Sequence, residues 1–295
     1  MVSEQHINTR QVGRSFGRSA GTYDAHAVLQ REVGDRLIAH LEFSKIAPTR
    51  MLDIGCGTGY ITRLLHKHFP KAGLTAIDIA PGMLLSARAA QPRRMPWVGR
   101  TSYACCDAVR LPFSDGSFDL VASNLAMQWV REPEKMLSEM RRVLAPGGLM
   151  LLSTFGRRTL GELRQSLAGF SHEYAGLVLP FPDVTSLGDA LMKMPIEVPV
   201  TDTDLFTLTY PDPMALIREL KGLGASSSAI KNRPTGLYGR RLLRHIEADY
   251  AANHRDEDGR IRATFEVLYA QAWYADGSRQ YDDVIPIRME NQLGL

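Results

Sequence analysis

The sequence predicts an α/β fold, a mostly parallel sheet with helices on both faces. Three observations lead there. Between residues 50 and 153 short apolar runs alternate with runs of helical period, the rhythm of successive βαβ units. Residues 51–60, Met-Leu-Asp-Ile-Gly-Cys-Gly-Thr-Gly-Tyr, carry an apolar strand through a glycine turn into a helix. Polar side chains stand where later strands end, at Asp78, Asp107 and Asn124. Ligands of open parallel sheets gather at those carboxyl ends.

Taken in order, residues 16–43 read as a helix, with Ala27, Leu29, Val33, Leu37, Ile38 and Leu41 approximating an apolar stripe. Pro48 and Thr49 separate this N-terminal arm, residues 1–48, from the first strand. Strands are expected at 50–54, 74–78, 101–105, 118–123 and 148–153, with helices at 59–69, 82–90 and 133–144. Pro146-Gly147-Gly148 is a turn that closes the last of these helices. After the core, 49–156, the rhythm changes. A helix is expected at 159–170, and 171–200 reads as irregular because of Pro180, Pro182, Pro195 and Pro199. Residues 157–203 are therefore taken as a lid-like insertion. The C-terminal part, 204–274, holds a strand at 204–210, helices at 213–223 and 238–251, and a last strand at 261–274. Residues 275–295 form a polar tail. The whole reads as one domain, 1–295.

With 44% hydrophobic and 23% charged residues, the chain has ordinary globular composition and enough length to bury a sizeable core. Its net charge of +3 suits an acidic partner but is too small to imply nucleic acid. Cys56, Cys105 and Cys106 form neither a disulfide framework nor a metal-ligand spacing. They read as packing residues in a reducing, cytoplasmic setting. No apolar run approaches membrane-spanning length. His66 and His68 read as solvated residues on a helix surface.

Glycines at 55, 57 and 59 let backbone approach a ligand without Cβ collisions. The N–H groups at the following helix start favour an anionic or strongly polar ligand group. A dinucleotide fingerprint does not fit, because the third glycine of G-x-G-x-x-G falls on Tyr60. The G-x-G-x-G turn with Asp53 ahead of it resembles the first motif of class I S-adenosylmethionine-dependent methyltransferases. Asp115-Gly116-Ser117-Phe118-Asp119 and Arg142-Val143-Leu144-Ala145-Pro146-Gly147-Gly148 are similar to further segments of that class. The resemblance implies a Rossmann-like class I fold, a seven-stranded sheet and S-adenosylmethionine as cofactor, with no metal. On that reading Asp53, Gly55, Gly57 and Gly59 build the cofactor turn. Asp78 accepts from both ribose hydroxyls, Asp107 from the adenine amino group, and the Ala108 N–H meets a ring nitrogen. Met83 packs on the adenine face, and Asn124 stands beside the methyl-transfer position. Taken singly, a strand-end acid is also a common helix N-cap, and Met83 is also a plain core residue.

The flanks narrow the class. Phe16-Gly17-Arg18-Ser19-Ala20-Gly21-Thr22-Tyr23-Asp24, with His26-Ala27 and Leu29-Gln30-Arg31, resembles the start of malonyl-acyl-carrier-protein O-methyltransferases of biotin synthesis. Ser123-Asn124-Leu125-Ala126-Met127-Gln128-Trp129, Leu160–Arg164, Leu220–Ala225 and Phe265–Tyr269 are similar to later segments of that family. The chain departs from the pattern at Arg157, Arg158 and Met192–Pro195. The resemblance implies methylation of the free carboxylate of a malonyl thioester. That group is ionised near neutral pH, so no general base is required. Tyr23 and Trp129 are then walls of the transfer axis, Gln128 orients the acceptor, and Arg164 holds its carboxylate. The other readings are a core Trp129 and a surface Arg164. An acidic carrier protein could dock on Lys231, Arg233, Arg240, Arg241 and Arg244, which also fit a solvated helix face. Two further functions stay open: a methyltransferase for another small acid or a quinone precursor, and a respiratory-complex assembly factor acting on a protein arginine.

Overall fold

A computed structural model describes residues 7–91, 99–224 and 239–275. Seven strands form one sheet in the order β3-β2-β1-β4-β5-β7-β6. They are β1 (Arg50–Ile54), β2 (Gly73–Asp78), β3 (Thr101–Cys105), β4 (Phe118–Asn124), β5 (Leu144–Phe155), β6 (Glu197–Tyr210) and β7 (Ile261–Trp273). Strands β1 to β5 run parallel, and β7 lies antiparallel to both β5 and β6. Six strands therefore point one way and β7 alone points back, which is the mostly parallel sheet the sequence predicts.

The central strands carry near-continuous apolar runs because helices cover both of their faces. Met51 and Leu120 point to one side, where α3 (Val28–Ala39), α4 (Tyr60–His68), α7 (Gly161–Phe170) and α11 (Gly239–Asn253) pack. Leu52 and Val121 point to the other, against α6 (Pro133–Val143) and α9 (Val184–Met192). Each such fully buried aliphatic side chain stabilises the fold by roughly 1.5–3 kcal/mol. The two motif segments away from the glycine turn are clamps on this frame. Asp119 accepts from the Thr49 N–H and hydroxyl at 2.8 and 2.7 Å and from the Arg50 guanidinium at 2.7 Å. Arg142 donates to Asp115, Glu139 and the carbonyls of Leu111 and Phe113.

Three expectations change. The arm is three helices rather than one: α1 (Thr9–Ser19), α2 (Tyr23–His26) and α3, followed by a 3-10 turn at His40–Phe43. The interruption falls at Gly21-Thr22, and α1 starts well before residue 16 because Asn8 caps it, accepting from the Gln11 N–H. Strand β6 begins at Glu197, not at 204, so its first residues fall in the stretch read as irregular. That stretch also contains α8 (His172–Ala175) and α9. His66 is 1% exposed, with Nε2 2.6 Å from the Thr101 hydroxyl, and so is not a solvated residue. Among the described residues, no helix is long and apolar enough to cross a membrane.

Helix α1 lies across the carboxyl end of β2 and against α5 (Pro81–Ala90). Two glycines make this approach possible. A Cβ on Gly13 would stand 3.2 Å from the Ile79 carbonyl oxygen, and one on Gly82 would stand 2.8 Å from that of Gly17.

Candidate active site

The carboxyl ends of β1, β2 and β4 open into a cavity of about 310 Å³, covered by residues of the arm. Its floor is the turn between β1 and α4. Gly55, Gly57 and Gly59 all take positive φ, +70°, +54° and +83°, a region side chains other than glycine rarely adopt. A Cβ on Gly55 would also strike the Ala126 Cβ, whereas one on Gly57 would meet nothing within 4 Å. Gly57 lines the cavity, so its missing side chain is space left for a ligand. Gly59 does not line it; it caps α4 and packs near Ala87.

The turn is held from β2. The N–H groups of Gly55 and Cys56 both donate to the Ile77 carbonyl at 2.9 Å. Asp78 accepts from the Gly57 N–H at 3.0 Å and from the Ala80 N–H at 2.8 Å. Burial nevertheless pushes its carboxyl above the usual range. Asp53 has a different position from the one expected. It does not line the cavity but lies under the turn, 1% exposed, with one oxygen accepting from the Thr62 hydroxyl at 2.6 Å. Its other oxygen has no partner among the described residues. Burial, with the nearby Asp78 charge adding to it, pushes Asp53 up to about 7.

Asp107, Ala108 and Met83 line the same cavity as Asp78. The far side is aromatic. Trp129 meets Phe16 edge-on with ring centroids 5.3 Å apart, and Phe16 lies 6.4 Å from Tyr23. Burial, then the charges of Asp78 and Asp24, raise the Tyr23 hydroxyl, which keeps it protonated. Asn124 and Gln128 also line the space, but their amides are engaged. Asn124 donates to the Gln30 carbonyl at 3.0 Å and accepts from the Ser153 hydroxyl at 2.7 Å, tying the arm to β5. Gln128 donates to the Leu125 carbonyl at 2.7 Å and accepts from Thr154 at 3.2 Å. This fixes the Met127–Trp129 turn beside Leu125, whose φ of +48° reverses the chain after β4. The arm is fastened over the glycine turn by the Thr58 hydroxyl, which donates to Asp24 at 2.6 Å.

Arg164 requires correction. It lies outside the cavity, and its guanidinium is turned to the carbonyls of Arg157, Leu179 and Thr159, to which it donates. Arg131 is the basic residue that does line the cavity among the described residues. Phe16, Phe155, Leu220, Leu223 and Phe265 also line it and were not foreseen as site residues. Phe16 was visible only as part of a family segment; the others converge from β5, α10 (Pro213–Gly222), the residue following α10 and β7, which local sequence patterns do not bring together. Arg240, Arg241 and Arg244 are exposed on α11, which contributes nothing to the cavity. Lys231 and Arg233 lie outside the described residues.

A family model described as a methyltransferase domain matches residues 52–152. A malonyl-[acyl-carrier protein] O-methyltransferase of Halorhodospira halophila is 44% identical over 97% of this chain and 95% of its own length. One from a Methylovorus strain is 41% identical over 90% of this chain and 89% of its own. The chain belongs to the malonyl-[acyl-carrier protein] O-methyltransferase family. Among solved structures, YcgJ protein from Bacillus subtilis superimposes with a TM-score of 0.56 at 16% identity, over 82% of this chain and 98% of that one, which speaks for the fold alone. Members of this family are enzymes with S-adenosylmethionine as cofactor. The residues present fit that molecule: a glycine floor open at Gly57, buried Asp78 at the end of β2, half-buried Asp107 just past β3, and an apolar wall.

Proposed function

We propose that this chain methylates the free carboxylate of a malonyl thioester carried on an acyl carrier protein, forming the methyl ester that enters biotin synthesis. The observation that carries the reading is one continuous cavity. It joins the acid-and-glycine floor at Asp78, Asp107 and Gly57 to the aromatic group of Phe16, Tyr23 and Trp129. When bound, S-adenosylmethionine supplies a methyl group on a positively charged sulfur. Asp78 would accept from its ribose hydroxyls and Asp107 from its adenine amino group. The Ala108 N–H would meet a ring nitrogen, and Met83 would cover the base.

The acceptor carboxylate is already ionised, so the bound cofactor would supply the methyl group to its oxygen and keep the bonding electron pair on sulfur. No proton moves. The protein's contribution is alignment and exclusion of water. Phe16, Trp129 and Tyr23 surround the transfer axis with apolar surface, where an anion and a cation that neutralise each other react in a weakly solvating space. The Tyr23 hydroxyl, kept protonated, offers a hydrogen bond to the carboxylate. Asn124 and Gln128 act through structure, holding the arm and the Trp129 turn in register. Arg131 takes the place of Arg164 as the cation on the cavity wall.

The reading is tested with a labelled methyl donor and three acceptors: malonyl-carrier protein, malonyl-coenzyme A, and carrier protein without malonyl. Base-labile methyl ester should form on both malonyl thioesters and not on the bare carrier. Binding of S-adenosylmethionine with no transfer to either malonyl thioester overturns it.

A further inference from the structure

The outer face of α1 carries three arginines that no part of the site uses. Arg10, Arg14 and Arg18 recur every four residues and are all exposed. At 1.5 Å rise per residue they form a row about 12 Å long on one side of the helix. Among the described residues none of the three makes a hydrogen bond or ion pair. The opposite side of the same helix belongs to the cavity, since Thr9, Val12 and Phe16 line it. One helix therefore presents charge outward and the reaction chamber inward.

The neighbouring helix extends this surface. Gly82 of α5 meets the backbone of Gly17, and Leu85 lies one turn further along that side of α5. Leu85 is 69% exposed. Arg88 follows one turn later and is also exposed. An apolar contact point bordered by cations suits an acidic, helical protein surface. Such charges raise the rate of encounter and set orientation more than they add raw affinity.

We infer that the α1 face, with Leu85 beside it, is the docking surface for the acidic carrier protein. This rests on the malonyl-carrier reading above. The competing basic surface, Arg240, Arg241 and Arg244 on α11, has the same charge but no share in the cavity wall. A carrier seated on α1 sits directly over the chamber its tethered thioester must enter.

The experiment compares the wild type with the triple variants R10E/R14E/R18E and R240E/R241E/R244E. Substrates are malonyl-carrier protein and the small, phosphate-free thioester malonyl-N-acetylcysteamine, and S-adenosylmethionine affinity is measured by calorimetry. The α1 variant should raise KM for the carrier substrate at least tenfold. Its turnover of the small thioester and its cofactor affinity should stay within twofold of wild type. The α11 variant should leave all three unchanged. In the wild type, KM for the carrier substrate should rise with salt while the small thioester is indifferent to it.

An unchanged carrier KM in the α1 variant overturns the assignment, as does an equal loss on both substrates or a rise confined to the α11 variant. If triple reversal weakens cofactor binding, Arg14→Gln decides instead. A severalfold higher carrier KM with unchanged cofactor affinity supports the surface, and an unchanged KM removes it. A wild type that transfers methyl to no malonyl thioester is a different result, because it removes the reaction itself and the docking claim with it.

Discussion

Asp53 and Asp78 close adjacent strands, yet the fold gives them opposite tasks. Asp78 faces the cavity and is steadied by two backbone N–H groups. Asp53 is sealed beneath the turn and pushed up to about 7 by burial. An Asp raised from its ordinary value holds a proton in the folded state that the unfolded chain has lost. Its contribution is fully present below about pH 4, falls steadily as pH rises above that, and is gone once pH has passed through about 7. The ligand-free protein should therefore lose about 1 kcal/mol from this group between pH 6 and pH 8. Asp53→Asn should flatten that slope in urea titrations at the two pH values while retaining cofactor binding. Asp78→Ala should instead weaken cofactor affinity tenfold or more by calorimetry, a loss that Asp53→Asn does not share. The types and order of these acids were legible in the sequence, because a strand end can be read from apolar runs. Their burial was not. It depends on Thr62 of α4 folding back over Asp53, and on Gly57 and Ala80 converging on Asp78. Arg164 failed for the same reason: a helix pattern shows that an arginine is present but not which carbonyls surround it.

Among the elements, α1 and β6 differ most from expectation. Strand β6 was hidden by Pro195 and Pro199, which read as breakers. In the fold β6 is an edge strand, and its register shifts between Glu197 and Val200, where Pro199 sits. Edge strands and bulges are the places where a sheet accepts proline. Strands β1 to β4, by contrast, fell where the apolar runs placed them, because a strand buried on both faces leaves an uninterrupted signature; β5 begins earlier, at Leu144, and carries Pro146-Gly147-Gly148, read as a turn, as an irregularity within it. Helix α1 is held to α5 by close backbone approach, not by a large apolar face, so little in its composition announces the contact. Gly82→Ala would bring a Cβ within 2.8 Å of the Gly17 carbonyl oxygen. Overpacking of this kind costs about 1–3 kcal/mol. The cost should appear locally, as faster amide exchange in α1 and a severalfold weaker cofactor affinity, with the amides of β1 and β4 still protected. Uniform loss of protection across the sheet would show that α1 is integral to the core instead.

Across the whole molecule, the sheet supplies the floor of the chamber and the N-terminal arm supplies its cover. Residues 16–43 announced a helical arm, but nothing local in them showed that its first part returns over the strands it precedes. That arrangement emerges with the close approaches of Gly13 to Ile79 and Gly17 to Gly82 and with the Thr58–Asp24 and Asn124–Gln30 hydrogen bonds, which join residues far apart in the chain. Fastening of the arm to the glycine turn has a kinetic consequence. The cavity floor at Gly57 and Asp78 lies below the arm, so on the proposed function a cofactor seated there must be in place before the arm is clamped from outside, and it leaves only after that clamp is released. Turnover should then follow a compulsory order, with S-adenosylmethionine first on and its demethylated product last off. Acetyl-carrier protein, which lacks the reacting carboxylate, should inhibit uncompetitively against S-adenosylmethionine; a noncompetitive pattern would mean that the two substrates bind in either order.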